Sequence, residues 1–320
     1  MATAISSVHL GKTYPKARAG KYALDDLSLE IPPGRVYGLI GRNGAGKTTF
    51  VRICATQLAP TNGTVYVLGH DVRQEEREVR SRIACVPQES RPLYFLNVEE
   101  VIYLYLKLRG LDAQDSRRRT LAVLDELSLT EYRRSLVSRL SGGLRRRTMC
   151  AMVLASDADV MFLDEPTTGL DPLARREVWE AIRRASRENR TIVLTTHYLD
   201  EAEALSTRLA LIDSGKLKLE GSPEDLRNRV RYPYRVTIQG SFPREELDSF
   251  GKVSEIEGGL LLFTREREAR EVARRLLERG LRFSMGPVSL EDIFLDVVGR
   301  SIEEDTETEE SEEVAAGTKA

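Results

Sequence analysis

The stretch Gly41-Arg42-Asn43-Gly44-Ala45-Gly46-Lys47-Thr48-Thr49 constrains this chain more than any other. It fits G-x-x-x-x-G-K-[ST], a P-loop, in which glycines let successive backbone N–H groups turn inward around a phosphate. Its setting agrees. Pro32-Pro33-Gly34 precedes the short apolar run of residues 35–40, which reads as a buried strand, and residues 48–58 follow with helical character and no breaker. A helix starting there adds the partial positive charge of its N-terminus to the cradle. Lys47 is placed to reach β- and γ-phosphates, and Thr48 to hold Mg²⁺ through its hydroxyl. A glycine-rich turn with a surface lysine is the bland alternative, and it leaves the strand–loop–helix setting unexplained.

At 320 residues there is room for one large domain and a small one. The net charge of −2 is unevenly split: residues 301–320 hold eight carboxylates and one lysine, net −7, so the first 300 residues carry +5. That excess is too mild to argue for a nucleic-acid partner. The acidic tail is poor in aromatics and is expected to be disordered. No stretch approaches the ~18 consecutive apolar residues of a membrane span, and the N-terminus lacks the layout of a secretory signal. Cys54, Cys85 and Cys150 are widely spaced in apolar surroundings. They read as buried thiols of a reducing compartment, not as a disulfide framework or metal site.

Short strands are expected from Val8 and over residues 24–31, the second alternating apolar and polar and pairing antiparallel. Tyr14 lies just past the first, where an aromatic can fold back onto a base; a plain surface or core tyrosine fits the spacing equally. Residues 83–88 read as a buried strand ending in Gln88, either a loop residue or a contact for Mg²⁺ or water. Residues 97–136 look wholly helical, as an ordinary amphipathic subdomain or as a docking site for a membrane partner. Leu140-Ser141-Gly142-Gly143 precedes a helix through Leu154. A hydroxyl and two glycines there make either a second anion site or a simple cap. Arg145-Arg146-Arg147 reads as a solvated face rather than a binding patch.

Val160-Met161-Phe162-Leu163 is a buried strand that ends in Asp164 and Glu165. Burying charge is costly, so in a chain with a P-loop Asp164 is best explained by Mg²⁺, and Glu165 is placed to orient or deprotonate water. Asp171 and Pro172 start a helix to about residue 187. The strand of residues 191–196 then delivers His197, a structural histidine or a γ-phosphate contact. Beyond Arg231-Tyr232-Pro233 the order β-α-β-β-α-β, with helices over 244–250 and 266–279, suggests a ferredoxin-like domain.

Taken in order, these residues resemble an ATP-binding cassette (ABC) ATPase over residues 4–228. Tyr14 is similar to the aromatic that stacks on the base, residues 41–49 to the P-loop, Gln88 to the Q-loop, and Leu140-Ser141-Gly142-Gly143 to the family signature. Asp164 and Glu165 match the metal-binding acid and the catalytic glutamate, Gly169-Leu170-Asp171 the D-loop, and His197 the switch histidine. Leu144 departs from the usual glutamine, which implies a weaker polar contact there. Pro287-Val288-Ser289-Leu290-Glu291-Asp292-Ile293-Phe294-Leu295 resembles the tail segment of type-2 ABC exporters, a group covering drug, lipid, polysaccharide, sodium and nodulation-factor export.

The resemblance implies an α/β P-loop NTPase fold with an antiparallel β subdomain and a helical subdomain near residues 90–156, within a nucleotide-binding domain of residues 1–230. A small α+β C-terminal domain, regulatory or dimerising, would cover 231–300. It implies ATP and Mg²⁺ as ligands: ATP bound by Tyr14, Gly41, Asn43, Gly44, Ala45, Gly46, Lys47, Thr48 and Thr49, with Ser141 and Gly143 of a second cassette covering it. Mg²⁺ would be held by Thr48, Gln88 and Asp164, with Lys47, Gln88, Glu165 and His197 serving hydrolysis. The partners are a membrane permease on a separate chain and a second copy or a paralogue, and the expected location is the cytoplasmic face of the cell membrane. The rival is an ABC ATPase that remodels a protein assembly without a permease.

Overall fold

The computed structural model describes residues 3–15, 22–86 and 94–298. Gln88 and the acidic tail of residues 301–320 lie outside them. The chain divides into two compact units, Met1–Glu220 and Gly221–Ala320.

The first unit opens with β1 (Ile5–Thr13) and β2 (Tyr22–Ile31), which pair antiparallel. Strand β3 (Val36–Ile40) leads through the glycine loop into α1 (Lys47–Cys54). Strands β4 (Asn62–Val67) and β5 (His70–Asp71) return to the first sheet, completing the order β2-β1-β4-β5. Next come α2 (Glu76–Arg82) and β6 (Ile83–Val86), then α3 (Val98–Leu108), α4 (Ala113–Glu126) and α5 (Gly142–Leu154). The region read as wholly helical is therefore interrupted. Gly110, at φ +95°, ends α3 in a left-handed conformation, and the Asp112 carboxylate accepts from Asp115 N at 2.8 Å to start α4 anew.

The rest of this unit alternates β7 (Val160–Asp164), α6 (Pro172–Arg187), β8 (Thr191–Thr196), α7 (Leu199–Leu205), β9 (Arg208–Asp213) and β10 (Lys216–Gly221). The second sheet runs β10-β9-β3-β8-β7-β6, and the pairs from β9 to β6 are parallel. Parallel strands bring their C-terminal ends to one edge, so the segments that follow β3, β7 and β8 gather there.

Burial on both faces makes these strands continuous apolar runs. Along β7, Val160 and Phe162 pack with Phe50, Ile53 and Ile5, whereas Met161 and Leu163 pack with Val101, Cys150 and Ile182 on the other face. The thiols are packing groups: burial pushes Cys85 up to about 12 and Cys150 up to about 11, too high for a thiolate at neutral pH.

The second unit contains α8 (Pro223–Arg229), β11 (Tyr234–Gln239), β12 (Gly251–Ile256), β13 (Gly259–Thr264), α9 (Glu266–Glu278), β14 (Arg282–Pro287) and α10 (Leu290–Val298). Its antiparallel sheet has the order β12-β13-β11-β14, with Val236, Ile238, Leu260 and Leu262 packed against Ala269, Val272 and Leu276 of α9. The helix expected over residues 244–250 is a correction: a single 3₁₀ turn, Arg244–Glu246, stands there. Within that stretch only Leu247 is buried, and Gly251 already begins β12, so no apolar face offsets helix nucleation. The unit begins ahead of Arg231, because Arg227 of α8 donates to the Val288 carbonyl at 3.1 Å.

Phe162→Ala should cost about 3–5 kcal/mol, the usual penalty for an emptied aromatic core position, seen as a lower midpoint in urea unfolding.

Candidate functional site

The glycine loop is shaped by contacts that exclude side chains. Gly46 caps α1 at φ +110°, and a Cβ there would strike the Ala23 carbonyl; one on Gly41 would strike that of Ile212. Lys47, the first residue of α1, is buried. Its ammonium donates to the Gly41 and Arg42 carbonyls at 2.7 and 3.1 Å and lies 3.8 Å from Glu165 Oε1. Burial pulls this ammonium below the usual lysine range, against the pull of Glu165 and Asp164. Tyr14 does fold back to this loop: its hydroxyl lies 3.3 Å from Thr49 Oγ1.

Two carboxylates from the end of β7 meet the loop. Asp164 is buried and accepts from the Thr48 hydroxyl at 3.2 Å and from the Thr195 hydroxyl of β8. Burial pushes its carboxyl above the usual range despite those donors. Glu165 turns the chain with φ +50°, the left-handed region, and its N–H donates to the Thr195 carbonyl at 3.1 Å and the Thr195 hydroxyl at 3.0 Å. Its carboxylate lies 3.3 Å from His197 Nδ1, and the Thr168 hydroxyl donates to it at 3.3 Å. Burial alone would raise the Glu165 carboxyl; the close contact of His197, the charge of Lys47 and the Thr168 hydroxyl together outweigh it and hold it below the usual range.

Lys47, Thr48, Asp164, Glu165 and His197 thus converge at the C-terminal edge of β3, β7 and β8. Among the described residues no three His, Cys, Asp or Glu side chains are arranged to hold a metal ion by themselves. The adjacent Thr48 and Asp164 oxygens suit Mg²⁺, a hard ion that takes few protein ligands and fills its shell with water and phosphate oxygens. The signature stands apart in form: Ser141 is exposed, its hydroxyl caps α5 by accepting from Leu144 N at 3.3 Å, and a Cβ on Gly143 would meet Leu170 at 3.2 Å. Leu144 packs against the core beneath instead of offering a polar group.

Two features escaped the sequence reading. Arg146 is 9% exposed, and its guanidinium donates to the carbonyls of Asp164 and Glu165, so the arginine run is not a solvated face. Arg147 donates to the Leu127 carbonyl at 3.1 Å and to Glu177 at 2.7 Å. The signal was in the pattern: Arg146, Met149, Cys150, Val153 and Leu154 form one helical stripe of α5, all buried. The second is Glu201, in the first turn of α7. It is fully buried, accepting from Thr167 at 2.8 Å and from Trp179 at 3.0 Å. Burial raises its carboxyl. Its spacing from buried Leu205, one helical turn on, marks it as inward-facing.

Residues 24–168 match the family described as ABC transporter. The chain is 36% identical over 293 residues to Nod factor export ATP-binding protein I of Burkholderia orbicola (strain AU 1054), covering 90% of this chain and 96% of that protein. It is 35% identical over 314 residues to the daunorubicin/doxorubicin resistance ATP-binding protein DrrA of Streptomyces peucetius, covering 93% and 94%. A dimeric structure of a bacterial ABC transporter cassette superposes with a TM-score of 0.63 at 25% identity, covering 68% of this chain and 98% of that one.

A carboxyl held below its unfolded value stabilises the fold above that value, and the contribution is lost as pH falls through the folded one. The stability advantage of the wild type over Glu165→Gln should therefore shrink on acidification from pH ~6 to ~3, below the ordinary Glu value of ~4.3. Urea unfolding across that range measures it, and a constant difference would contradict the charge partners given to Glu165.

Proposed function

This chain belongs to the ATP-binding proteins of ABC transporters, and we propose that its strand-edge cluster hydrolyses ATP to drive a membrane permease of the exporter type. The observation that carries this reading is the approach of Lys47 and His197 to the single carboxylate of Glu165, 3.8 and 3.3 Å away, beside the P-loop.

In this reading Tyr14 stacks on the base. The N–H groups of residues 41–49 and the N-terminus of α1 hold the phosphates. Lys47 leaves its loop carbonyls for the β- and γ-phosphates. Thr48 and Asp164, with Gln88, hold Mg²⁺, which when bound neutralises phosphate charge. Glu165 is ionised at neutral pH, as the depressed carboxyl requires, and accepts a proton from water. The water oxygen bonds to the γ-phosphorus as the bond to the bridging oxygen breaks, giving ADP and inorganic phosphate. His197 supports the developing charge.

Ser141 is exposed and Gly143 partly so at the N-terminus of a helix, a suitable donor surface for a nucleotide bound to another subunit. We therefore assign them to the site of a second cassette, an identical chain or a paralogue, packed head to tail. Closure and opening of that pair would move the permease between its two access states. The permease is assigned to a separate chain, since no helix among the described residues is long and apolar enough to cross a membrane. In this reading the subunit works on the inner face of the cell membrane, with no nucleic acid among its partners. In this assignment the first unit is the catalytic domain and the second, which takes in α8 as well as residues 231–300, a regulatory or dimerising domain, with residues 301–320 a tether or solubilising tail. The relatives are named for Nod factor export and for daunorubicin/doxorubicin resistance, which supports the exporter direction.

Affinity capture of the tagged chain from membranes solubilised in mild detergent tests the permease reading, with mass spectrometry as readout. A stoichiometric polytopic partner supports it; a soluble assembly in its place would favour the permease-free reading. The composite site makes its own prediction. Mixing Lys47→Ala with Ser141→Arg chains should restore one intact site per heterodimer, with ATPase activity above either parent. Mixtures that never exceed the parents would rule out completion in trans.

A further inference from the structure

Glu165 needs its backbone held. It is a non-glycine residue at φ +50°, in the conformation that L side chains adopt least readily, at the point where β7 leaves the sheet. On one side its N–H is fixed by Thr195 of β8, through both the carbonyl and the hydroxyl. On the other side the carbonyls of Asp164 and Glu165 both point at one guanidinium nitrogen, Nη2 of Arg146, the Glu165 contact measuring 2.7 Å. One helical turn on, Cys150 Sγ lies 3.7 Å from the Pro166 carbonyl. Three successive carbonyls of the turn therefore face one side of α5, and Arg146 supplies the strong donor among them.

The arginine is ill-suited to any bland role. It occupies a core position of the α5 stripe, where an apolar residue would pack without desolvating a charge. Both backbone oxygens are met by Nη2, whose two N–H groups the planar guanidinium holds in fixed directions, whereas lysine offers a rotating ammonium on a shorter stem. From this geometry we propose that Arg146 is a positioning residue for Glu165 of its own chain, clamping the left-handed turn so that the carboxylate addresses the attacking water. Arg146 touches neither nucleotide nor water in this assignment; it acts through the backbone. The proposal rests on the reading of Glu165 as the proton acceptor, and the test separates the two.

The full-length chain is purified as Arg146→Met and Arg146→Lys variants. The apolar chain of Met fills the core position and leaves the carbonyls without their donor; Lys can restore one contact. Arg146→Met should lower kcat for ATP hydrolysis roughly tenfold or more while KM stays within about twofold, and Arg146→Lys should recover part of the loss. A purely structural role would move the melting temperature of both variants and give no such split. If Met does not fold, Lys alone carries the reading, as an intermediate kcat at unchanged KM.

Heterodimers with Lys47→Ala then decide which site the arginine serves. With Arg146→Met on the chain that keeps Lys47, activity should fall by the same factor. With Arg146→Met on the Lys47→Ala chain itself, activity should stay within about twofold of the Lys47→Ala/wild-type dimer. The reverse pattern, an equal loss in both placements or no loss in either would overturn the assignment. Glu165→Gln in the same two placements is the control: if it causes no loss on the Lys47-bearing chain, the reading of Glu165 fails first, independently of Arg146.

Discussion

Two adjacent carboxylates at the end of a strand buried on both faces are the demand around which the catalytic unit is built. Asp164 and Glu165 follow Val160–Leu163, all four fully buried. Charges in such a place must be met by donors and counter-charges. Thr48 and Thr195 supply hydroxyls to Asp164; Lys47 supplies counter-charge to Glu165, and His197 brings a ring nitrogen within 3.3 Å of it. Those groups come from α1, β8 and the segment after β8, and a parallel sheet is the arrangement that delivers all of them to one edge. The two carboxyls are driven apart: burial raises Asp164, whereas the groups around Glu165, Lys47 among them, lower it and keep it ionised.

The nucleotide unit was legible because its chemistry is written in local patterns. The P-loop, the apolar run into Asp164, the Asp171-Pro172 start of α6 and the delivery of His197 each declare themselves within a few residues. Asp171 caps α6 as its type requires, accepting from Leu173 and Ala174 N at 3.0 Å each. Non-local demands were harder to read. Arg146 looks like part of a basic surface until the stripe of α5 is traced back onto it, and the carbonyls it serves lie 18 and 19 positions away in sequence. Glu201 likewise has its partners in Thr167 and Trp179, on other elements. The missing helix over residues 244–250 shows the opposite failure: acceptable propensity without a face to bury.

The C-terminal unit follows different rules. Its sheet uses alternate residues of β11 and β13 to cover α9 and carries no cluster comparable to the strand edge of the first unit. Its helices are held by local devices, among them the reciprocal Ser222–Asp225 cap of α8 at 3.0 Å each way and the Ser289–Asp292 contacts that begin α10. Those caps let short helices form with few buried residues of their own, α8 burying Leu226 alone among its described side chains.

Helix α5 has a mechanical property beyond its contacts. Ser141 caps its N-terminus and Arg146 lies five positions on, an axial separation of about 7.5 Å at 1.5 Å per residue. A hydrogen-bonded helix is far stiffer along its axis than a loop, so a push on the cap reaches the guanidinium nearly undiminished. Within one subunit, the surface proposed to meet a second cassette and the turn carrying Glu165 are therefore tied to two points on a single rod. Any shift of that rod is felt as a change in backbone angle where the chain has least freedom to absorb it.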